Sequence, residues 1–463
     1  MKRICNILQY GLLPLSILLA GCSKWGIDHN NIYHYVIPVS AAVSDSAPLC
    51  GSVKGVMLSG KTYTVACDIN INRGDTLLIQ DGVKILMQPN SSIVVKGTLL
   101  SLGSREQPNY ITVANADKND NPGVDPRLDP AYSAKWKGIL GDTSCKLMVL
   151  KWTHIDFGGA AYGNVVGPAL GQGSTSNFVV LFQNYKGNFI MEDSWMYGAI
   201  DDAVRISGGQ VAIMRNTFEK TGITAGECVN VKGGTVGDMG YNFMIGFAEN
   251  GLKISNRGQP VGSPQTSIRM YNNTFVNGGF RVTTPGSGAN IDYEQGAKGM
   301  YYNNAIINCR VGARIVGNPA ADTANLFYGN TFLYADSISV ANQFYPVGYI
   351  TKPLPTDIPS PTYLPANYFP GASYNGSQAV QAIDPLFINY PLPVGAHLTL
   401  SAINSVGKFN FHLQLNSPLI GKGNTGFVPL KVVPVDAKYG ATDITPPGKD
   451  IGCFQTNGTG NLH

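Results

Sequence analysis

The sequence has few charged residues and no segment that would suit a nucleic-acid partner. Asp, Glu, Lys and Arg together make up 13% of the 463 residues, about half the usual share. The formal net charge is only +4, and the chain contains no long run of Lys or Arg of the kind that marks a nucleic-acid contact. We therefore expect no nucleic-acid partner.

Two further scarcities exclude other classes of protein. Beyond the N-terminus, no apolar segment is long enough to span a bilayer. None of the eight cysteines has metal-ligand spacing to a histidine, so we expect no zinc site. Export would permit disulfides, and Cys50 and Cys67 are then the nearest pair. The pairing of the remaining cysteines stays open, and they are Cys145, Cys228, Cys309 and Cys453.

Glycine is abundant, and it separates short β-like segments. The chain contains 55 glycines, well above the common share of ~7%. Residues 75–104, DTLLIQDGVKILMQPNSSIVVKGTLLSLGS, hold several runs in which apolar and polar residues alternate. Strands this short need stacked neighbours to bury them, so a single elongated repeat domain accounts for the length better than several globular domains do.

The N-terminus has the form of an export signal. Lys2 and Arg3 precede an apolar segment, residues 4–20, that ends in small residues. Residues 19–22, Leu-Ala-Gly-Cys, resemble a bacterial lipoprotein cleavage box, and this resemblance implies that Cys22 is lipidated and begins the mature protein. The alternative is an ordinary signal peptide with a chance cysteine.

Lipidation would attach the protein to a membrane almost permanently, because several acyl chains act together. We therefore expect an exported protein, anchored through Cys22 to the bacterial cell envelope, with the outer membrane as the favoured location. Residues 23–28, SKWGID, contain no cluster of acids, so surface display is not signalled and the choice of membrane face stays open. We expect a monomer.

An internal repeat runs through the middle of the chain. The element recurs as MRNTFEKTG, MYNNTFVNGG, YYNNAIINC and YGNTFLYAD, at spacings typical of one solenoid coil. Aligning these copies predicts one internal stack of apolar residues and one ladder of asparagines. The stack would contain Phe218, Phe275, Ile306 and Phe332, joined more loosely by Phe243, and the ladder Asn216, Asn273, Asn304 and Asn330.

Several phrases resemble those of known proteins. GDTLLIQDGVKILM, IVVKGTLLSLGS and KWKGILGD near the start, and AIDPLFIN, FNFHLQLNSPLIGKG and GKDIGCFQ near the end, resemble right-handed parallel β-helix proteins of the pectin-lyase-like superfamily. The resemblance implies an all-β fold, a single right-handed parallel β-helix or β-solenoid, with a lipoprotein signal and a Pro-rich insertion. It does not imply one function, because lyases, hydrolases, adhesins and other lipoproteins share these phrases.

The sequence predicts five segments. They are a signal peptide (1–21), a tether (22–47), the parallel β-helix (48–345), a Pro-rich inserted loop (346–382) and C-terminal β-helix coils with a cap (383–463).

Basic residues occupy the centres of several predicted strands. In each apolar-x-apolar segment the flanking pair would point inward and the central residue outward. The central residues are Arg205, Asn230, Lys253, Arg281 and Arg314. Stacked ~4.8 Å apart, two unit charges repel by about 0.9 kcal/mol even in bulk water, so something must offset the repulsion. Surface ion pairs with Asp202 and Glu227 are one alternative, and an acidic, uronate-containing polysaccharide along this face is the other.

A second, local resemblance concerns catalysis. ECVNVKGG followed by NGLKISNRG resembles the alginate and dermatan lyases of the β-helix class. The resemblance implies Glu227 as a ligand of Ca²⁺, Lys232 as the base and Lys253 as a second cation, and Asp202 at the equivalent position would be a second metal ligand. The chain departs from that family at the second cation. Where the family has Arg followed by His, this chain has Lys253 followed by Ile254.

Three functions therefore remain open at this stage. The first is a lipoprotein that binds polysaccharide through Arg205, Lys253, Arg281 and Arg314. The second is a polysaccharide lyase, which we favour over a hydrolase because Asp201 and Asp202 are adjacent and point apart along an extended chain. The third is a structural or adhesive stalk.

Overall fold

A computed structural model describes residues 40–163, 165, 173–283, 287–316, 319–334, 384–390 and 400–463. The expected signal peptide, most of the tether and the Pro-rich segment 346–382 lie outside the described residues. Those three assignments stay predictions.

The fold is all-β, and 27 of its strands belong to one largely parallel sheet. The helices described are short 3₁₀ turns at Pro126–Leu128, Pro130–Ser133, Thr323–Asn325 and Leu400–Ala402. Among the described residues, none of these helices has the length and apolar character needed to cross a membrane.

The strands are β1 (Leu49–Ser52), β2 (Gly55–Met57), β3 (Thr62–Ile71), β4 (Thr76–Ile79), β5 (Lys84–Met87), β6 (Ile93–Val95), β7 (Thr98–Leu102), β8 (Asn109–Thr112), β9 (Ile139–Gly141), β10 (Leu147–Lys151), β11 (Thr153–Gly158), β12 (Val180–Phe182), β13 (Asn188–Glu192), β14 (Trp195–Ala199), β15 (Val204–Met214), β16 (Thr217–Thr221), β17 (Val229–Gly240), β18 (Phe243–Ile245), β19 (Leu252–Ser255), β20 (Ser267–Tyr271), β21 (Thr274–Val276), β22 (Ala289–Glu294), β23 (Lys298–Tyr302), β24 (Ala305–Ile307), β25 (Val311–Val316), β26 (Leu326–Gly329), β27 (Phe332–Tyr334), β28 (Phe387–Asn389) and β29 (Asn410–Leu413).

The parallel pairings form three rows, and the chain visits the rows in turn. The first row runs β3, β6, β9, β12, β15, β17, β19, β22 and β25. The second row runs β2, β4, β7, β10, β13, the later halves of β15 and β17, β20, β23 and β26. The third row runs β5, β8, β11, β14, β16, β18, β21, β24 and β27. This arrangement is consistent with a β-solenoid.

Alternating side chains build the core between the rows. In β15, Val204 and Ile206 are fully buried while Arg205 between them is partly exposed. Leu252 and Ile254 flank Lys253 in β19 in the same way. The apolar-x-apolar pattern therefore predicted correctly which side chains of these two strands enter the core.

A ladder of asparagines connects successive coils. Asn216, Asn242, Asn273 and Asn304 are fully buried, and the Oδ1 of each accepts a 3.0 Å hydrogen bond from the backbone N–H of the aligned residue one coil earlier. The prediction is confirmed for Asn216, Asn273 and Asn304, whereas Asn242 was missed.

The alignment of the last copy was wrong by one residue. Ala305 pairs with Phe332, so Thr331 and not Asn330 follows Asn304 in the ladder. Asn330 instead has a φ of 43°. It occupies the left-handed turn position that Asn272 and Asn303, the residues before the ladder asparagines Asn273 and Asn304, occupy in the two earlier coils. The same Asn-Thr pair therefore occurs in two registers: Asn216 is a ladder residue that follows the positive-φ Arg215, whereas Asn330 itself has the positive φ.

The C-terminal residues do not add parallel coils in the part that the structure describes. Strands β28 and β29 pair antiparallel in a separate sheet. Downstream, the backbone N–H groups of Asn424 and Gly448 donate to the Oδ1 atoms of Asn303 and Asn272. The segment thus packs across the outside of the left-handed turns, which differs from the coils expected for 383–463.

The cysteines that the structure describes are either joined in a disulfide or buried as free thiols. Cys50 and Cys67 form a disulfide with their Cα atoms 5.0 Å apart, as their proximity suggested. Cys145, Cys228, Cys309 and Cys453 are buried and free.

We expect Asn242→Ala to destabilise the fold by about 2–4 kcal/mol. The substitution leaves the Asn216 N–H without its partner, which costs about 1–3 kcal/mol. It also removes the hydrogen bond that Asn242 Nδ2 donates to the Ile213 carbonyl, which contributes about 1 kcal/mol. Denaturant unfolding of the purified protein measures the change. Asn325→Ala, at an exposed position, is the control and should change stability by less than about 0.5 kcal/mol. Equal effects of the two substitutions would contradict a structural role for the ladder.

Candidate functional site

A row of polar side chains follows the outer surface of five consecutive first-row strands. Register places one residue each from β15, β17, β19, β22 and β25 above one another. We call these residues the charged strip, and they are Arg205, Asn230, Lys253, Asp292 and Arg314.

The strip differs from the predicted basic ladder at Arg281. The strand that pairs with β19 is β22, so Asp292 and not Arg281 lies beside Lys253. Residues 280–282 and 289–294 both alternate apolar and polar residues, and the longer segment forms the strand because Ala289, Ile291 and Tyr293 all reach the core.

Arg281 is held elsewhere, in a cage of backbone oxygens. Its guanidinium donates to the carbonyl groups of Thr221, Gly222 and Ile223 at 2.6–3.0 Å, and to that of Ser401 at 3.2 Å. Because these bonds use most of its donors, Arg281 acts as a link between a turn and the C-terminal segment, away from the strip.

The three cations of the strip each have a carboxylate partner. Arg205 Nη2 lies 2.5 Å from Asp202 Oδ2, Lys253 Nζ lies 3.4 Å from Glu227 Oε1, and Arg314 Nη1 lies 3.9 Å from Asp292 Oδ2. All three cations are less than one fifth exposed. These ion pairs offset the repulsion between stacked cations, as the ion-pair alternative expects.

Asp202 and Glu227 form a closely coupled pair of carboxyl groups. They lie at aligned positions, two residues before the paired Val204 and Val229, and oxygens of Asp201, Asp202 and Glu227 lie within 4.8 Å of one another. Burial and the neighbouring charge of Glu227 raise the pKa of Asp202 well above its usual value. Burial also acts to raise the pKa of Glu227, but the hydrogen bond from Asp202 and the charges of Lys253 and Arg205 outweigh it and lower that pKa to about 2. Of the two carboxyl groups, Asp202 therefore holds a proton more tightly than Glu227 does.

The cluster does not fit the calcium site implied by the lyase resemblance. Asp202 Oδ2 accepts from Arg205, and Oδ1 accepts from the Glu227 N–H. Glu227 Oε1 accepts from Asn250 and faces Lys253. Ca²⁺ requires six to eight oxygen ligands, whereas both Asp202 oxygens and Glu227 Oε1 already have hydrogen-bond or cation partners within the protein. No step of a mechanism is therefore assigned to a metal.

Lys232 is exceptional within this group of charges. It is half-buried on β17, where Ser207 is its register partner on β15. Among the described residues, no carboxylate oxygen lies within 4.0 Å of its Nζ. Burial lowers its pKa, and the charges of Arg205 and Lys253 lower it further. A lysine in this environment can bind an anion or, when neutral, accept a proton.

Asp292 is the residue of the strip that the alignment of apolar-x-apolar segments did not include. It is fully buried between Lys253 and Arg314, and neither of its oxygens has a hydrogen-bond partner among the residues that the structure describes. Burial raises its pKa to about 7, although the charge of Arg314 opposes the rise. The alternation in residues 289–294 was the signal that could have placed it on a strand.

Comparison with known proteins does not identify a relative. No family model, no curated protein and no solved structure matches the chain.

We expect Asp292→Asn to stabilise the protein at pH 8 by about 2–4 kcal/mol and to have little effect near pH 4. The folded-state pKa of Asp292 is about 7 against an ordinary value of 3.8, so the folded state keeps a proton that the unfolded chain loses. Stability contributed by this proton is present at low pH and is lost as the pH rises from about 4 to 7. Urea unfolding between pH 4 and 8 measures it.

Glu106→Gln is the control for that experiment, because Glu106 is an exposed acid outside the strip. It should leave the pH dependence of stability unchanged. If D292N showed the same slope as the wild type across this window, Asp292 would not carry the raised pKa.

Proposed function

We propose that the protein is an envelope lipoprotein that binds an acidic, uronate-containing polysaccharide on the charged strip, with Lys232 contacting a sugar carboxylate. In this proposal the chain is a right-handed parallel β-helix of the pectin-lyase-like superfamily, and Cys22 attaches it to the outer membrane. The three parallel strand rows and the Leu-Ala-Gly-Cys segment support these parts of the proposal.

The observation that carries the proposal is the ammonium of Lys232, which has no carboxylate partner among the described residues. A half-buried cation without a counter-ion is costly to the fold, and an anionic ligand would remove that cost. Arg205 and Lys253 lie close enough to lower its pKa, so a sugar whose carboxylate binds Lys232 would also bring its hydroxyl groups close to both of them. A carboxylate repeated along a polymer supplies such an anion together with hydroxyl groups for the paired side chains.

The ion pairs change how the polymer is expected to bind. Arg205, Lys253 and Arg314 are already paired with Asp202, Glu227 and Asp292. Their remaining donors suit hydroxyl groups better than carboxylates, because each carboxylate would compete with a protein acid. Binding then depends on one free charge and on hydrogen bonds, and its dependence on salt should be shallow.

We expect Lys232→Gln to weaken binding of alginate or pectate by about tenfold, the equivalent of ~1.4 kcal/mol. Gel retardation of the detergent-solubilised protein in alginate, pectate and glycosaminoglycan gels, repeated across a salt series, measures the effect. Lys84→Gln is the matched control, because Lys84 is an exposed lysine on another strand, β5, and it should leave retardation unchanged.

A steep loss of retardation with salt would contradict the single-cation proposal and favour binding by several free cations. Equal retardation of K232Q and the wild type would remove Lys232 from the interface. Absence of retardation with every polymer would favour the structural or adhesive stalk.

The lowered pKa of Lys232 favours a second candidate, a polysaccharide lyase. β-Elimination requires a base that removes the proton beside the carboxylate and a cation that holds that carboxylate. Neutral Lys232 fits the base. Lys253 fits the cation: burial acts to lower its pKa, but the charges of Glu227 and Asp292 raise it above the usual value.

We expect a lyase to release unsaturated products and to become more active as the pH rises through the lowered pKa of Lys232. Ultraviolet absorbance of the unsaturated sugar measures this, with and without Ca²⁺. Retardation without product would reject the lyase and keep the binding protein, whereas product formation abolished by K232Q and retained by K84Q would establish the lyase.

A further inference from the structure

A second candidate site lies on the third strand row, where the C-terminal segment covers its outer surface. A cavity of about 220 Å³ opens there. Its inner wall is formed by Trp195, Thr217 and Phe243, which are aligned on β14, β16 and β18. The C-terminal segment supplies the other walls, namely Val406, Phe409, Asn410, Phe411, His412, Phe454 and His463.

Aromatic contacts hold the walls in place around the cavity. Phe243 packs against Phe411 and Phe454, with ring centroids 4.8 and 5.5 Å apart, and His412 packs on Phe454 at 4.3 Å. Phe243 and Phe411 are almost completely buried. Since these rings support one another, the cavity is a built feature of the interface between the sheet and the C-terminal segment.

The lining carries no acidic or permanently cationic side chain. Burial lowers the pKa of both His412 and His463, so both imidazoles are neutral at pH 7. Glu219 lies behind Trp195, and its oxygens already accept from Trp195 Nε1, Ser405 Oγ and the Val406 N–H. A charged ligand would lose its hydration here without gaining a counter-ion, so the cavity selects a neutral one.

One buried polar atom of a lining residue has no partner among the described residues. His463 Nε2 is buried and has no hydrogen bond among the described residues, although its ring is fixed between Trp152 and Trp195 at 5.3 and 5.2 Å. Buried nitrogens without a partner are rare and require an explanation. A hydroxyl group of a bound molecule would supply the missing hydrogen bond.

We propose that this cavity binds a single neutral sugar ring. The apolar face of the ring would pack on the phenyl side chains, and one hydroxyl group would bond to His463 Nε2. The cavity is smaller than the ~300–1,000 Å³ sites that hold drug-sized ligands, which suits one ring. A purely apolar molecule would leave the His463 nitrogen unpaired. This site belongs to a different strand row from the charged strip and does not depend on the function proposed there.

The test uses the methyl glycosides of glucose, galactose, mannose and N-acetylglucosamine as probes. Trp195 lines the cavity, so tryptophan fluorescence reports occupancy, and saturation-transfer NMR confirms which glycoside binds. We expect millimolar binding of at least one glycoside. His463→Phe keeps a ring and removes the nitrogen, and it should weaken that binding about tenfold. Val406→Phe reduces the space and should abolish it.

Circular dichroism checks that both variants fold, and Asn325→Ala, at an exposed position outside the cavity lining, serves as a folded variant whose glycoside binding should equal that of the wild type. Three results would overturn the proposal: no glycoside binds at millimolar concentration, binding persists unchanged in both cavity variants, or indole binds where no glycoside does.

Discussion

The structure depends on parallel pairing in strict register, which places equivalent residues of successive coils directly above one another. Any side chain that recurs at one position therefore contacts its own copies. Asparagine benefits, because Asn216, Asn242, Asn273 and Asn304 bond from coil to coil. Cations do not, because stacked charges repel at this distance. The same constraint that makes the fold repetitive makes a continuous basic ladder unfavourable.

The charged strip shows how the chain accommodates that constraint. Arg205, Lys253 and Arg314 are separated along the row by Asn230 and Asp292, so no two cations are direct neighbours. Acids that precede the strands pair with Arg205 and Lys253. In these buried surroundings the pKa values of Asp202 and Asp292 are raised and that of Glu227 is lowered. Groups with separated pKa values are typical of functional sites, and here Lys232 is the group whose charge the other described residues leave unpaired.

The repeat and the strand interiors were largely readable from sequence because they rest on local alternation. The alternation alone predicts that Val204 and Ile206 share the inward face of their strand. The spacing of the Asn-containing turns predicted the coils. The errors arose where two local patterns competed. Residues 280–282 and 289–294 both read as strands, and Asn330 matched a turn in two possible registers. Which segment forms the strand, and in which register, depends on which residues reach the shared core. That in turn depends on the neighbouring coils.

The sequence by itself determined the all-β, parallel and repetitive character of this protein, since short alternating strands of this composition are buried only by stacking. It also marked Lys232, Lys253, Glu227 and Asp202 as residues of one chemical neighbourhood. Only the tertiary structure decided their electrostatics. Pairing between coils replaced Arg281 by Asp292 and supplied each cation of the strip with an acid. Within the described part of the chain, it left Lys232 without a carboxylate partner. It also folded the C-terminal residues over the third row, which created an aromatic cavity from residues more than 200 positions apart, such as Trp195 and His463.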